Sequence, residues 1–267
     1  MRSRCQLIKG IYCLCFLGLL GLTTCHSQVY HLSKKTDYSI GFGTLAISAF
    51  DLGLRANHQV LNIREVILLD PQSIPSFERD VIFNSSLAAA DWSDYLQFGA
   101  MALPLSVLIP KKDNDDLVTL SVMLFEAFSL NLSLTVMTKN FVGRPRPFAY
   151  NPETALSDIQ IRSATESFFS GHTSNSATFG VFTATVFSKL FPESKWKTPV
   201  WIASLGIPAA VGVMRVNAGR HFPTDVIVGY AFGAFIGFII PELHRKDGRF
   251  QVAVSTPGTI GLRIALN

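Results

Sequence analysis

"RVNAGRHFPTDVIVGY", residues 215–230, decides how the chain is read. Its first half carries an arginine, a histidine and an aspartate: Arg215, His221 and Asp225. Its second half is apolar. Pro223 suits the first turn of a helix, where a missing N–H is no loss. Asp225 then falls one turn from His221, so a carboxylate can orient an imidazole that acts as nucleophile or base. An acid in a first turn is also an ordinary partner of the helix dipole. The stretch therefore takes its meaning from what else lies at helix ends.

Two further polar clusters interrupt the apolar sequence. In "KNFVGRPRP", Lys139 and Arg146 stand seven apart with Pro147 following. In "SFFSGHTSNSA", residues 167–177, Ser170, Gly171 and His172 precede an apolar run. Alone, Lys139 and Arg146 read as a cationic cap at a membrane surface, and His172 as a capping or core histidine. Together the clusters suit phosphate. Guanidinium and ammonium groups match phosphate oxygens in charge and geometry. A helix beginning near His172 offers free N–H groups to an anion, and Gly171 lets backbone approach it closely.

Hydrophobic residues make up 48% of the 267 and charged residues 16%, against about 25% charged in a typical soluble domain. Six apolar stretches run over 38–54, 95–109, 117–137, 177–191, 200–213 and 226–240. As helices they would each be about 20 to 30 Å long, at or below the thickness of a bilayer core. The expected fold is all-α, a bundle of about six helices, mostly membrane-embedded, with the site at helix ends on one face. Gly41, Gly43, Gly229, Gly233 and Gly237 permit close helix contacts, and Pro104 and Pro208 should kink or interrupt two helices. Glu126 and Asn131 lie inside the third stretch. Glu126 is about 20 Å along a helix from Lys139, so it reads as an interior polar tie between helices. "DPQSIPSFERDVIFNSS", residues 70–86, reads as an ordered surface loop and part of an entrance.

Residues 1–27 read as a signal peptide or N-terminal anchor, with a basic start, a short apolar run and small residues before a cut after Ser27. "LTTC" would instead place a lipid on Cys25. All four cysteines, Cys5, Cys13, Cys15 and Cys25, fall in this segment, so no disulfide, Cys metal site or Cys nucleophile is expected beyond it. Residues 28–247 form the helical domain, with its motif core over 95–241. Residues 248–267 alternate apolar and polar around Pro257 and Gly258, a hairpin pattern. The net charge of +4 and the lack of a basic run with interleaved aromatics argue against a nucleic-acid partner. No carboxylate cluster or metal-spaced His/Cys set is present in the sequence, so neither a metal nor a cofactor is expected.

The order Lys-x6-Arg-Pro (Lys139 to Pro147), Ser-Gly-His (Ser170 to His172) and Arg-x5-His-x3-Asp (Arg215 to Asp225) resembles the three motifs of the type 2 phosphatidate phosphatase and vanadium haloperoxidase superfamily. The resemblance implies a lipid phosphate or diphosphate as substrate and membrane lipids as surroundings. His221 would be the nucleophile that forms a phosphohistidine, Asp225 its orienting acid and His172 the acid that protonates the leaving alcohol. Lys139, Arg146, Ser170, Gly171 and Arg215 would bind the phosphoryl oxygens. An exported acid phosphatase of the same fold is the alternative, followed by a vanadate-dependent haloperoxidase. Two positions depart from the usual text: Phe169 stands for a proline and Met214 for a serine. Both should alter loop rigidity or substrate fit. The resemblance also implies the bacterial cell envelope. Basic residues at Lys111, Lys112, Lys189, Lys195, Lys197 and 244–246 lie opposite the site, which places the site on the periplasmic face. A cleaved signal before six full spans would reverse this, so either the N-terminal stretch stays as a span or residues 38–54 do not cross; a soluble bundle would also remove the conflict.

Overall fold

The computed structural model describes residues 29–57, 60–109, 114–247, 250–255 and 259–264. The expectations for residues 1–27, for Lys111 and Lys112 and for the turn at Pro257 and Gly258 lie outside them. Six long helices stand among the described residues: α1 (Lys34–Asn57), α2 (Leu87–Ala102), α3 (Asn114–Val142), α4 (Gly171–Leu190), α5 (Lys197–Asn217) and α6 (Pro223–Leu243). Phe250–Ser255 and Thr259–Ile264 form an antiparallel hairpin, β1 and β2, with Phe250 opposite Ile264. The expected helical bundle and its terminal hairpin are both present.

α4 is the central helix, packed by α2, α3, α5 and α6, while α1 leans on α3. Its sequence explains the position. Thr173, Ser174, Ser176, Thr178, Thr183 and Thr185 are all buried, and Thr178 and Thr183 donate their hydroxyls to carbonyls one turn back. Side chains that bond back in this way satisfy their own hydroxyls, and their small size lets neighbours come close. Large apolar side chains point outward instead: Phe42 and Phe50 on α1, Trp92 and Phe98 on α2, Ile202 on α5, and Ile227 and Phe235 on α6 are all more than half exposed. A polar interior inside an apolar exterior inverts the soluble pattern and suits a lipid surround.

By length and composition, α3, α5 and α6 are long and apolar enough to cross a membrane. α4 need not be apolar, because the other helices wrap it. α2 has only 16 residues, about 24 Å of helix. α1 carries Asp51, which is buried between Asn140 of α3 and Arg55.

The α4–α6 contact holds the bundle together. Gly229, Gly233 and Gly237 form one stripe on α6, and a Cβ on any of them would collide with the carbonyl of Ser170, Ser174 or Thr178. Gly43 differs from expectation: it faces open space. Pro104 does interrupt a helix, since α2 ends before it and a short turn at Leu105–Leu108 follows. Pro208 does not, because α5 continues across it.

The polar tie expected at Glu126 is present. Its carboxylate lies 3.2 Å from His244 Nε2, just beyond α6, and Asp37 of α1 lies 3.0 Å from the same nitrogen. Asn131 is fully buried, accepting from Ser174 Oγ and donating to Asn175. α1 and α3 thus run toward one end of the bundle, α4 and α6 run away from it, and the three motifs share that end.

Candidate active site

Two glycines deliver the motifs. α3 stops at Val142 because Gly143 takes a φ of +60° and its N–H returns to the Lys139 carbonyl. α5 stops at Asn217 because Gly219 takes a φ of +64° against the Asn84 carbonyl. Only glycine enters this region without strain. After Gly143 the chain crosses the top of the bundle, and Arg146 N–H bonds the Ala164 carbonyl. After Gly219 it places His221, then enters α6 at Pro223.

Ser170 is the N-cap of α4, yet no side chain caps the helix. Its hydroxyl pairs with Thr173 instead, and its N–H bonds the Asp225 carbonyl. The first-turn N–H groups of α4 therefore stay available to an anion. A Cβ on Gly171 would sit 3.3 Å from the Thr135 methyl and 4.0 Å from Lys139 Nζ. The ammonium thus lies directly over the start of α4, where it donates to the Glu166 carbonyl.

His221 is 1% exposed. Its Nδ1 lies 2.8 Å from the Ser167 carbonyl, which can only accept, so Nδ1 carries the proton and Nε2 the lone pair. Burial pushes its pKa well below the ordinary value, and Arg146, Lys139 and Arg215 push it further, against a smaller opposite pull from Ser167. The ring is neutral and surrounded by three cations. Arg146 and Arg215 each keep a buried Nε–H without an acceptor. Buried donors left open in this way mark where a ligand oxygen belongs.

All eight residues expected at the site come to this end of the bundle, but two partnerships differ from expectation. Asp225 Oδ2 is 3.8 Å from His221 Nδ1. The imidazole Nδ1–H instead donates directly to the Ser167 carbonyl. Asp225 accepts from Ser167 Oγ, Phe222 N–H and Arg144, so it braces the loop that holds the histidine. His172 pairs through Nε2 with Asp94 of α2 at 2.9 Å, and Asp94 also lies 3.6 Å from Arg215.

Four contributors escaped the sequence reading. Ser167 acts through its carbonyl, which no residue pattern advertises. Asp94 stands one residue before an apolar stretch. Arg144 lies inside "KNFVGRPRP", where the arginine two places on drew the attention. It bonds Asp225 Oδ1 and Glu78 Oε1 at 2.6 Å each and stacks over the Phe222 ring at 4.2 Å. Glu78 is buried in the 70–86 loop and also accepts from Thr224. One guanidinium thus pairs with two buried carboxylates, either of which would cost roughly 3–5 kcal/mol if left without a partner. Ile74, Val81 and Ile82 of the same loop pack on Phe222, so the loop is a wall of the site, fastened beside His221.

Phe169 is 1% exposed and stacks on Phe232 of α6, with ring centroids 5.2 Å apart. Its ring fills the space between the site loop and α6.

Residues 116–249, half of the chain, match the model of the PAP2 superfamily. The lipid A 1-phosphatase of Rhizobium johnstonii is 36% identical over 117 residues, 43% of this chain and 44% of that protein. Phosphatidylglycerophosphatase B of Bacillus subtilis is 30% identical over 164 residues, 59% of this chain and 74% of that protein. The chain thus spans under half the length of the first and about three quarters of the second. A crystal structure of a transmembrane PAP2-type phosphatidylglycerolphosphate phosphatase from Bacillus subtilis superposes with a TM-score of 0.47 at 20% identity, over 76% of this chain and 93% of that one.

Burial and then Arg215 lower the His172 pKa to about 4, while Asp94 pulls it upward. The ring is therefore neutral at pH 7 in the free protein and becomes half charged only near pH 4. Asp94→Asn removes the upward pull, so His172 should titrate at still lower pH. Histidine NMR titration in detergent micelles measures this; an unchanged or raised midpoint would refute the Asp94 pairing.

Proposed function

Since the chain belongs to the PAP2 superfamily, we propose that it hydrolyses phosphate monoesters or diphosphates of lipids through a phosphohistidine on His221. The observation that carries this is the state of His221. It is buried and neutral, its Nδ1–H is committed to Ser167, and three cations lie around it, two with an unused donor.

The residues divide the reaction between them. Lys139, Arg146, Arg215 and the first-turn N–H groups of α4 bind the phosphoryl oxygens and stabilise the charge that spreads over them in the transition state. His221 Nε2 attacks phosphorus. The bond from phosphorus to the lipid oxygen breaks, and its electron pair leaves on that oxygen. Protonated His172 gives its proton to the departing oxygen. The negative phosphoryl group supplies what the free site lacks, because its charge beside Arg215 restores the proton to His172. Asp225 and the Arg144–Glu78 pair hold the His221 loop still. Water then attacks phosphorus, the N–P bond breaks with its pair returning to Nε2, His172 takes the water's proton, and phosphate leaves.

Two features support a lipid as the leaving group. The helices present phenylalanine, tryptophan and isoleucine outward around a polar interior. The relatives bear the names of enzymes acting on lipid A, phosphatidylglycerophosphate and, in Sulfolobus acidocaldarius, undecaprenyl diphosphate. The same apolar exterior weighs against a soluble acid phosphatase.

Phosphate release from a panel of lipid A, phosphatidate and isoprenoid-diphosphate substrates in mixed micelles tests the activity. The chain should release phosphate from at least one of them, and His221→Ala should lose about three orders of magnitude or more, as for removal of other covalent nucleophiles. Retained activity in that variant would overturn the mechanism.

The site is proposed to face the periplasm. The ends opposite it carry Lys189, Lys197, Arg245 and Lys246, the charge pattern of an inner face. A Ser163→Cys variant, placed in the loop above the site, should react with impermeant maleimide in cells with a permeabilised outer membrane. Protection until the inner membrane is broken would refute this orientation.

A further inference from the structure

The bundle end remote from the site holds a second cluster of chemically active side chains. Asp37 comes from the first turn of α1, Glu126 from the middle of α3, and His244 from the residue after α6. We propose that these three residues bind a divalent transition metal ion, with zinc the best fit, which ties α1, α3 and α6 together.

The spacing has the right size. His244 Nε2 lies 3.0 Å from Asp37 Oδ1 and 3.2 Å from Glu126 Oε2, and the three ligand atoms all fall within 4.8 Å of one another. Tetrahedral zinc, with ligands at about 2.0–2.2 Å, separates its ligand atoms by about 3.3–3.6 Å. The two distances to His244 Nε2 lie within a few tenths of an ångström of that spacing. The histidine is prepared for the role. Its Nδ1 lies 2.8 Å from the Ile240 carbonyl, an acceptor only, so Nδ1 bears the proton and Nε2 faces the two acids. Metal-bound histidines show this arrangement, with the remote N–H held by a carbonyl or carboxylate.

Hydrogen bonding alone leaves the cluster incomplete. Nε2 can carry one proton, and the geometry assigns that bond to Asp37. Glu126 Oε2 is buried, points into the cluster and accepts no hydrogen bond. An imidazolium with two carboxylates also leaves a net negative charge in the interior, whereas a divalent ion with a neutral imidazole and two carboxylates is balanced. Calcium asks for six or more oxygen ligands, more than three residues offer here. The Asp37 side chain is 22% exposed; a water can complete the coordination from that side, and the ion can reach the site there. The surrounding backbone is closed: His31 N–H bonds the His244 carbonyl and Lys246 N–H bonds the Val29 carbonyl. The metal would fasten residues 29–37 onto the end of α6, far from His221, as a structural ion outside the reaction.

The test uses the full chain in detergent, freed of any affinity tag, stripped with a chelator and dialysed. Zinc is then titrated against a chromophoric chelator, metal per chain is measured by mass spectrometry, and cobalt(II) is added in a parallel sample. One tightly held zinc per chain is expected, with a cobalt absorption spectrum of tetrahedral strength. Glu126→Gln keeps the shape of the side chain and removes its charge. It and His244→Ala should each weaken binding by about 100-fold or more, at the upper end of or beyond the loss typical of outer-shell partners. Circular dichroism and elution volume confirm that each variant is folded; should His244→Ala unfold, Glu126→Gln alone decides. Failure of the wild type to take up zinc would overturn the proposal, leaving a hydrogen-bonded ion cluster. So would uptake that neither variant weakens, which would place the ion on other histidines.

Discussion

α4 and α6 meet backbone to backbone along the stripe of Gly229, Gly233 and Gly237, and the site follows from that contact. Gly229 lies against the Ser170 carbonyl, and Ser170 N–H bonds the Asp225 carbonyl. The backbone joint fixes the start of α4 against the first turn of α6. Ser167 then reaches both ends of the third motif, its hydroxyl to Asp225 Oδ2 and its carbonyl to His221 Nδ1. One of the two imidazole nitrogens is thereby committed, and the other keeps its lone pair for the nucleophilic role proposed above. Glycine matters at this joint because any larger residue would separate the helices and draw the Ser167 carbonyl away from the ring.

The cations around His221 carry an energetic cost that the fold must offset. Lys139, Arg146 and Arg215 repel one another in a largely buried space, and the Nε–H groups of the two arginines lack acceptors. The phosphoryl group proposed as ligand would relieve both problems. Of the negative groups nearby, Asp225 and Glu78 are committed to Arg144, and Asp94 is shared between His172 and Arg215. That division leaves the anion-binding surface positive, the preorganised environment that the proposed phosphoryl transfer requires.

Much of this was legible in the sequence because the motifs place charge at the ends of apolar stretches, where chemistry and helix termini coincide. Lys139, Arg146, Ser170, Gly171, His172, Arg215, His221 and Asp225 could all be named from that pattern. Ser167 could not, since a backbone carbonyl has no residue code. Asp94 and Glu78 could not, because single acids in a helix and a loop become partners only when long-range packing brings them in. Arg144 was visible but lay beside an arginine that already explained the motif. The bundle was legible from six apolar stretches, but not which helix would be central. α4 is surrounded by protein rather than lipid, so its serines and threonines lower its apolar signal. Pro208 was expected to kink or interrupt α5; it does not interrupt the helix, which continues across it. The His244 cluster brings together residues from three helices distant in the chain, so no local spacing pointed to it.

The most direct test of the central claim is to trap the intermediate. The chain would be mixed briefly with a phosphorus-labelled lipid phosphate, quenched in alkali, where phosphohistidine survives and phosphoserine esters are lost, and mapped by mass spectrometry. Phosphate on His221 Nε2, absent from His221→Ala and accumulating when His172→Ala slows the proton transfers, is the expected result. Hydrolysis by the wild type with no label on His221, or label on another residue, would contradict the assignment of His221 as nucleophile.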